Sequence, residues 1–497
     1  MRGCNHSSLL THNSSLMLPK ISTTIAVVLM LILTLDIGYC VDRHNFTHLI
    51  LAYSSLFVLY FYILHTLRQV PSVGVPLKNL TQGVIDNPPF LIFNFKFLIG
   101  LAILLRGCLI FSVPNLSEDI YRFIWDGRLI HLSINPFNYK PSYFMGNQLF
   151  TDVLTPDLFQ HLNSKEYFSV YPPVCQGVFA VAVWLFPKSI YGSMVVIKGF
   201  LFLCEIGTLF LMHRIGEFIR LTQQARRINS PIRLEPVLIY ALNPLIIIEL
   251  CGNAHFEAAM IFFFLLAVYI LKNLIQHLPT RNYAYSAAAF ALSVASKMLP
   301  IVFLPFFIKR LGFKKSVVYF TWIGCFTLLL FLPLYNEVFI NNIRSSLNLY
   351  FQKFEFNASV YYVYSTIETA HWGFNPILFI SKILMLTVLF SIFLLAIFEK
   401  KEQNTEGGIE KLFERCLFAI SIYFLCAASV HPWYAALPLA ISVFTRFRYI
   451  MVWTCLLPFT YIHYSYPKPT ENYWVIGLEY LVVVSFFVFE ILKPKNI

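Results

Sequence analysis

The sequence is built from repeated apolar runs that are long enough to cross a lipid bilayer. A membrane-spanning helix needs about 20 mostly apolar residues, and such runs recur throughout this 497-residue chain. Hydrophobic residues make up 58% of the chain and charged residues only 12%, which excludes a soluble globular protein of this size. The predicted fold class is therefore an all-α polytopic membrane protein.

The placement of charges predicts how these runs thread the bilayer. Loops rich in Lys and Arg are assigned to the cytoplasm. With this assignment the apolar runs predict about 12–14 transmembrane helices, with both termini in the cytoplasm. A shorter run at 174–187 is predicted as a juxtamembrane or re-entrant helix. The other segments lie at about 20–41, 47–67, 90–113, 192–213, 236–252, 283–296, 316–333, 374–398, 416–430, 434–446, 449–464 and 474–492, with two returns that end by Lys272 and Lys309.

Composition also excludes several classes of protein. The net charge of +12 comes from basic residues scattered between apolar runs, so it does not indicate a nucleic-acid partner. The ten Cys residues form no Cys-x-x-Cys pair, and neither a zinc site nor a disulfide framework is predicted. Nucleotide-binding glycine motifs do not occur. The apolar run from Ile21 to Cys40 is too long for a signal-peptide core and is predicted to be retained.

One charged stretch, residues 115–128, stands out in this apolar chain. Ser117 is placed to cap a new helix there. On that helix Asp119, Arg122 and Asp126 occupy positions i, i+3 and i+7, so they share one face. Two carboxylates around a guanidinium suit acid/base chemistry near a phosphate. The alternative is an amphipathic surface helix with internal ion pairs.

Other polar features fall on the same, extracytoplasmic side in this topology. Charged groups at membrane depth are costly and are usually functional or paired, so their segregation predicts a functional site at this face. The features are the first outer loop 114–171, His255 with Glu257, Lys297, the polar loop 334–372 and His431-Pro-Trp433-Tyr434.

The cationic and acidic members have a chemical and a structural interpretation. Lys297 could offset the charge that develops on a lipid phosphate leaving group, or its side chain could snorkel to the interface. Arg128 and Lys140 are alternative phosphate partners. His255 and Glu257 could bind sugar hydroxyls, or they could form a polar helix-turn cap.

The aromatic members are open to the same two interpretations. Trp433 and Tyr434, with His431, could present an aromatic face to sugar CH groups, or they could anchor the chain at the interface. Tyr171 with the two prolines that follow predicts a rigid entry turn. No His/Cys cluster suggests a transition metal. Paired carboxylates could bind Mg²⁺ or Mn²⁺, so the sequence leaves a metal requirement open.

Taken in order, these motifs resemble the GT-C glycosyltransferases, in particular the bacterial polyprenol-phosphate-mannose-dependent mannosyltransferases. The resemblance covers about 90–445. Its motifs are Glu118-Asp-Ile-Tyr-Arg-Phe-Ile-Trp-Asp-Gly-Arg128, Asn135-Pro-Phe, Tyr171-Pro-Pro173, Tyr240-Ala-Leu-Asn-Pro244, Gly252 to Glu257, Ser296-Lys-Met-Leu-Pro300 and His431-Pro-Trp-Tyr434. Glu257 stands where the family pattern has Asp.

The resemblance implies an inverting transferase that moves a sugar, expected to be mannose, from a polyprenyl-phosphate donor to a glycan, lipid or protein acceptor. An acidic residue of the first outer loop serves as base in the family. Asp119 holds that position here, with Glu118 as the alternate. The phosphate and its surroundings would be held by Arg122, Arg128 and Lys297, with Asp126 orienting Arg122 or the acceptor.

The family module falls on residues 90–333, with the first outer loop at 114–171. Residues 1–89 add two N-terminal transmembrane helices and a linker, and residues 334–497 carry the outer loop 334–372 and the C-terminal helices. The implied location is the bacterial inner membrane, with the active site facing the extracytoplasmic side. One alternative function is a transporter or flippase of lipid-linked saccharides, for which the typical internal repeat is not seen. A non-catalytic membrane scaffold is the other.

Overall fold

The structure is a computed structural model that describes residues 24–68, 95–146, 148–225, 235–272, 281–399 and 408–493. Every regular element in these ranges is a helix, which confirms the predicted all-α class. The predicted linker before residue 90 and the first residues of the spans at 20–41 and 90–113 lie outside the described residues.

The α-helices are numbered α1 to α20 along the described chain. They are α1 (Thr24–Tyr39), α2 (Phe46–Arg68), α3 (Phe95–Cys108), α4 (Asp119–His131), α5 (Pro156–Gln160), α6 (Pro173–Leu185), α7 (Ile190–Ala225), α8 (Glu235–Ala241), α9 (Pro244–Ile246), α10 (Glu257–Lys272), α11 (Arg281–Ser296), α12 (Leu304–Leu311), α13 (Phe313–Phe331), α14 (Phe339–Lys353), α15 (Val360–Trp372), α16 (Ile377–Ile397), α17 (Gly408–Cys426), α18 (Ala436–Ser442), α19 (Tyr449–Leu456) and α20 (Tyr473–Leu492).

Within the described residues, five helical stretches are long and apolar enough to cross a membrane by themselves. This confirms a multi-pass membrane protein. The remaining predicted segments are shorter helices or helices interrupted near a proline, since proline removes a backbone donor and crowds the preceding turn. The five long stretches are Phe46–Leu67, Ile190–Leu221, Phe313–Leu334, Ile377–Ile397 and Tyr473–Leu492.

The segment predicted to cross at 236–252 shows such an interruption. It consists of α8, a break at Asn243, the short α9 and a π-helical turn at Ile247–Gly252. The Asn243 side chain caps α9 by accepting a hydrogen bond of 3.3 Å from the Ile246 amide. The chain then bends by 108° before α10. This bend places the predicted outer turn, with His255, at one end of the helix bundle.

Helix α4 packs closely against α6, the short helix predicted at 174–187. A Cβ atom added at Gly127 would lie 2.5 Å from the carbonyl oxygen of Phe179, so only glycine permits this approach. Rings from both helices then stack, with the Phe123 and Phe179 centroids 4.7 Å apart. The first outer loop is therefore an ordered layer with its own buried aromatic core.

The segment predicted as the outer loop 334–372 is mostly helical. Helices α14 and α15 fill it, and they gain stability by packing on the first outer loop. Asn342 donates to the Phe137 carbonyl at 2.8 Å, and Asn135 donates to the Leu334 carbonyl at 2.7 Å. The ring of Phe339 meets that of Phe137 at 4.9 Å. The tertiary contacts explain why a polar composition, typical of loops, forms helices here.

The N-terminal hairpin of α1 and α2 packs onto the rest of the bundle. Asn115 uses its side-chain amide to donate to the Ile37 carbonyl at 2.7 Å and also to the Val41 carbonyl. Deeper in the bundle, the Tyr60 hydroxyl donates to the Ile239 carbonyl at 2.8 Å. The loop between α1 and α2 therefore lies beside the start of the first outer loop.

A buried ion pair joins α3 to α7. Arg106 Nε lies 2.9 Å from Glu205 Oε2, and both side chains are fully buried. Tyr240 donates to the other carboxylate oxygen at 2.7 Å. Removing one partner of a buried pair leaves an uncompensated charge.

We expect Glu205→Ala to lower the free energy of unfolding by about 3–5 kcal/mol, because it strands the Arg106 guanidinium. Thermal and denaturant unfolding in one detergent would measure the loss. The matched control is Glu217→Ala on the same helix, which breaks the exposed pair with Arg214 and should cost less than about 1 kcal/mol. Equal losses in the two variants would contradict a structural role for the buried pair.

Candidate active site

The two adjacent acids at the start of α4 have different partners. The helix begins at Asp119, and the N-cap position belongs to Glu118 rather than to Ser117. The Ser117 hydroxyl instead accepts from the Asp119 amide at 3.3 Å. Glu118 Oε1 lies 2.5 Å from Nη2 of Arg43, whereas Asp119 Oδ1 accepts from Asn163 Nδ2 at 3.0 Å.

In each carboxylate one oxygen has a partner and the other accepts no hydrogen bond from the described residues, so the two acids differ in the nature of the partner. Glu118 is tied to a guanidinium from the N-terminal hairpin. The second oxygen of Asp119 accepts no hydrogen bond from the described residues, and the side chain is only partly buried. A carboxylate with one anchored and one open oxygen is oriented yet can still receive a proton.

Arg122 is buried and its donors are used within the first outer loop. Nε donates to Asp126 Oδ1 at 2.8 Å, so the predicted pairing along one helix face is present. Nη1 donates to the carbonyls of Ser164 and Tyr167, each at 3.0 Å. One terminal nitrogen, Nη2, is buried without a partner among the described residues. The side chain therefore fixes the returning part of the loop.

Asp126, the partner of Arg122, makes further hydrogen bonds to the returning part of the loop. Its Oδ2 accepts from the Ser169 hydroxyl at 2.5 Å and from Gln176 Nε2 at 3.0 Å. The side chain is fully buried. Both oxygens of this carboxylate are thus engaged by hydrogen-bond donors. Asp126 and Arg122 together hold the loop from 164 to 176 against α4.

Arg128 and Lys140, the other cations considered for a phosphate, are placed elsewhere in the loop. Arg128 is buried and donates to the Val153 carbonyl at 2.6 Å and to the Lys188 carbonyl at 3.4 Å. Burial lowers the pKa of its guanidinium. Lys140 Nζ lies 5.9 Å from the centroid of the Phe168 ring. Neither cation makes a described contact with Asp119.

Tyr171 belongs to the aromatic core beneath α4. Its ring meets those of Phe123 and Phe179 edge-on, with centroids 4.8 and 5.7 Å apart. Phe256, from the turn before α10, also meets both of these rings. Tyr171 therefore helps to pack the first outer loop against the turn that carries His255.

His255 lies over a buried carboxylate that the sequence analysis did not select. Its Nε2 is 3.4 Å from Oε2 of Glu249, which sits in the π-helical turn. Glu249 Oε1 accepts from the hydroxyls of Tyr53 and Tyr461, at 3.2 and 2.8 Å. Glu249 thus joins the N-terminal hairpin, the central helices and the C-terminal part of the chain.

Lys297 is an accessible cation of the site. It forms an ion pair with Glu257, and its side chain is 28% exposed whereas that of Glu257 is 3% exposed. Its Nζ also lies 4.2 Å from the centroid of the Tyr434 ring. Burial raises the pKa of Tyr434 well above its usual value, and Glu257, Tyr423 and Asp119 raise it further. Asp119 and Glu257, on different elements, are thus both close enough to act electrostatically on the same phenol.

Trp433 is enclosed in a column of rings. His255 stacks on it with centroids 3.8 Å apart, and His431 stacks on it at 4.6 Å. Phe356 in turn stacks on His431, with the ring centroids 4.7 Å apart. Trp433 is thus held by ring stacking and remains partly exposed, and its contact with sugar CH groups stays a prediction.

Arg43 and Asn163 are the site residues that sequence reasoning missed. Asn163 carries no motif, and only the folded loop brings it to Asp119. Arg43 had a signal: the predicted topology places it on the extracytoplasmic side, where Lys and Arg are depleted. A cation on that side of so apolar a chain is unusual and points to a specific partner, which is Glu118.

The described residues contain no group of three or more His, Cys, Asp or Glu side chains that could hold a metal ion. The polar centre is instead an arrangement of carboxylates and cations. Its members among the predicted residues are Glu118, Asp119, His255, Glu257, Lys297, His431, Trp433 and Tyr434.

A multi-pass helical bundle that carries an open carboxylate and partly exposed cations has the groups that a membrane-embedded group-transfer enzyme needs. Residues 102–311 match the family model of the alpha-(1->6)-mannopyranosyltransferase N-terminal domain. Over this region the chain is similar to mannosyltransferases, which confirms the predicted resemblance and the prediction of a glycosyltransferase. No curated protein matches the chain. The hairpin with Arg43 and the motif at His431 lie outside the matched region.

The enclosed His431 predicts a pH dependence of stability. Burial, with the nearby Lys297, His255 and His463, lowers the pKa of His431 to about 3. An unfolded histidine titrates near pH 6.5. Between these two pH values the unfolded chain binds a proton at His431 that the folded chain does not bind. The stabilising contribution of neutral His431 is therefore complete above about pH 6.5 and is lost progressively down to about pH 3.

We expect His431→Gln to reduce the fall in melting temperature between about pH 7.5 and about pH 5. Thermal unfolding of both proteins at the two pH values gives this difference directly. His161→Gln, at an exposed histidine, is the control and should leave the fall unchanged. A fall of the same size in His431→Gln and the wild type would show that His431 does not carry it.

Proposed function

We propose that this protein transfers a mannosyl residue from a polyprenyl-phosphate donor to a hydroxyl of a glycan, lipid or protein acceptor. Transfer occurs on the extracytoplasmic side of a bacterial inner membrane and inverts the anomeric centre. The observation that carries the proposal is the open carboxylate of Asp119. It lies at the end of the bundle where the matched domain meets both the N-terminal hairpin and the C-terminal motif.

Asp119 rather than Glu118 is the base in this proposal. A base must have a carboxylate oxygen that can reach the acceptor hydroxyl. Glu118 Oε1 is held by the Arg43 guanidinium at 2.5 Å, so Glu118 is committed to an ion pair, whereas Asp119 is not. Asp119 has one oxygen anchored by Asn163 and the other open. The geometry therefore favours Asp119, although both side chains leave the same end of α4.

The chemical step balances with these groups alone. The acceptor oxygen attacks the anomeric carbon from the side opposite the phosphate while its proton passes to Asp119. The bond between the anomeric carbon and the phosphate oxygen breaks, and the electron pair leaves with the polyprenyl phosphate. The new glycosidic bond has the inverted configuration. Asp119 then releases its proton to solvent, which restores the carboxylate for the next turnover.

Lys297 is placed to stabilise the leaving group. Negative charge builds on the phosphate as the bond breaks, and a fixed cation lowers the energy of that state. Glu257 and the Tyr434 ring hold the ammonium in position, while part of the side chain stays exposed. A snorkelling lysine would not need a buried carboxylate partner, so this pairing supports the functional interpretation.

Arg122, Asp126 and Arg128 have positioning roles in this proposal. Both arginines are buried and donate to backbone carbonyls of the loop, so they are poorly accessible to a donor phosphate. Their function is to hold the first outer loop and thereby the start of α4. Tyr171 and His255 support the same surface through ring packing.

The distribution of basic residues supports the extracytoplasmic orientation. Arg310, which the predicted topology puts on the side opposite Asp119, forms an ion pair with Glu399, and Arg415 lies 3.9 Å from the same carboxylate. Lys309, Lys314 and Lys315 are close by in sequence. Cytoplasmic loops are enriched in Lys and Arg, so the end that carries Asp119 faces outward.

We expect Asp119→Asn to reduce the rate of transfer by about 100-fold or more, since a general base contributes that much or more. Purified protein in lipid nanodiscs would be supplied with polyprenyl-phosphate mannose carrying a radiolabel and with membranes of the source cells as acceptor. Glu118→Gln should stay within about tenfold of the wild type. Asp157→Asn, at a side chain that is 72% exposed in the same outer loop, is the matched control.

Two outcomes would refute this assignment. Transfer by Asp119→Asn at close to the wild-type rate would remove Asp119 as base. Movement of the intact labelled lipid across proteoliposomes, with no transfer product in any acceptor fraction, would identify a transporter of lipid-linked saccharides instead.

A further inference from the structure

The N-terminal hairpin brings a guanidinium to the candidate active site from outside the matched domain. Arg43 lies in the loop between α1 and α2, and its Cζ atom is 4.9 Å from the centroid of the Tyr464 ring. The same loop is held by His44, whose Nδ1 is 2.9 Å from the Tyr464 carbonyl oxygen. Arg43 is thus fixed between the acidic start of α4 and the C-terminal part of the chain.

The contacts of the other cations single out Arg43. Arg122 and Arg128 are each 2% exposed and donate to loop carbonyls. Of the cations with described contacts around Asp119 and Tyr434, Arg43 is 18% exposed and Lys297 is 28% exposed. Both can meet a lipid phosphate without breaking the backbone contacts of the first outer loop.

The ion pair with Glu118 leaves most of the Arg43 guanidinium free to bind. A guanidinium carries five N–H donors in a planar fork that matches a phosphate. Glu118 takes one terminal nitrogen, at 2.5 Å. The carboxylate fixes the plane of the fork, so the remaining donors are oriented before a ligand arrives. Such prior orientation reduces the cost of binding.

We propose that Arg43 binds the phosphate of the polyprenyl-phosphate donor and that Glu118 is the positioning residue that holds Arg43 for this purpose. The inference rests on the proposed function for the nature of the donor. It assigns a role to the N-terminal hairpin, which lies outside the matched mannosyltransferase domain. The donor phosphate then sits between Arg43 and Lys297, beside the open oxygen of Asp119.

The test compares the binding of farnesyl phosphate and farnesol, which differ in the phosphate alone. The wild type in nanodiscs of zwitterionic lipid should prefer farnesyl phosphate. Arg43→Gln should weaken this preference about tenfold or more, since bidentate charge-assisted hydrogen bonds are among the strong ones. Arg43→Lys should retain part of it. Arg214→Gln, at an exposed ion pair on α7, should bind like the wild type.

Steady-state kinetics separate phosphate binding from a general structural role. Arg43→Gln should raise the KM for polyprenyl-phosphate mannose more than it lowers kcat, whereas Asp119→Asn should lower kcat with little change in KM. Glu118→Gln should raise KM by a smaller factor than Arg43→Gln. If Arg43→Gln does not fold, Arg43→Lys carries the test, because it keeps the charge and loses the bidentate fork.

A folded Arg43→Gln that keeps the wild-type preference for farnesyl phosphate would overturn the inference. So would a wild type that does not distinguish farnesyl phosphate from farnesol. The transferase function is judged separately, by transfer of labelled mannose in the wild type. Transfer that persists together with an unchanged preference in Arg43→Gln would therefore remove the role of Arg43 and leave the proposed function standing.

Discussion

The buried ion pair between Arg122 and Asp126 is the interaction on which the candidate active site depends. It lies on the inner face of α4, where both side chains are desolvated, and its remaining hydrogen bonds reach along the loop from 164 to 176. A pair with so many further hydrogen bonds offsets its desolvation cost and fixes one geometry. Asp119, at the start of the same helix, is thereby held in place although its side chain has one hydrogen-bond partner among the described residues.

The candidate active site is formed by three separate parts of the chain, and each part supplies different side chains. The matched domain provides the carboxylate of Asp119 and the cation Lys297. The N-terminal hairpin provides Arg43, and the C-terminal part provides the phenol of Tyr434 and the ring column around Trp433. Glu249 joins all three through its hydroxyl donors and its contact with His255. The site is therefore a property of the whole bundle rather than of the matched domain alone.

The sequence predicted the elements whose causes are local. Apolar run length gives the membrane bundle, and helical spacing gives the pairing of Arg122 with Asp126. What it could not predict depends on partners distant in the chain. Glu118 and Asp119 are neighbours with the same chemistry, and only Arg43 and Asn163, brought in by the fold, distinguish them. For the same reason, a polar composition at 334–372 hid two helices that form by packing on the first outer loop.

The most direct test of this account is a cryo-electron microscopy structure of the enzyme in nanodiscs with a bound, non-transferable polyprenyl-phosphate mannose analogue. The account predicts the phosphate within hydrogen-bonding distance of Lys297 and Arg43, and the anomeric carbon on the side that faces the open oxygen of Asp119. An analogue bound at the opposite end of the bundle, near Arg310 and Glu399, would contradict it. So would a phosphate at the predicted end whose sugar points away from Asp119.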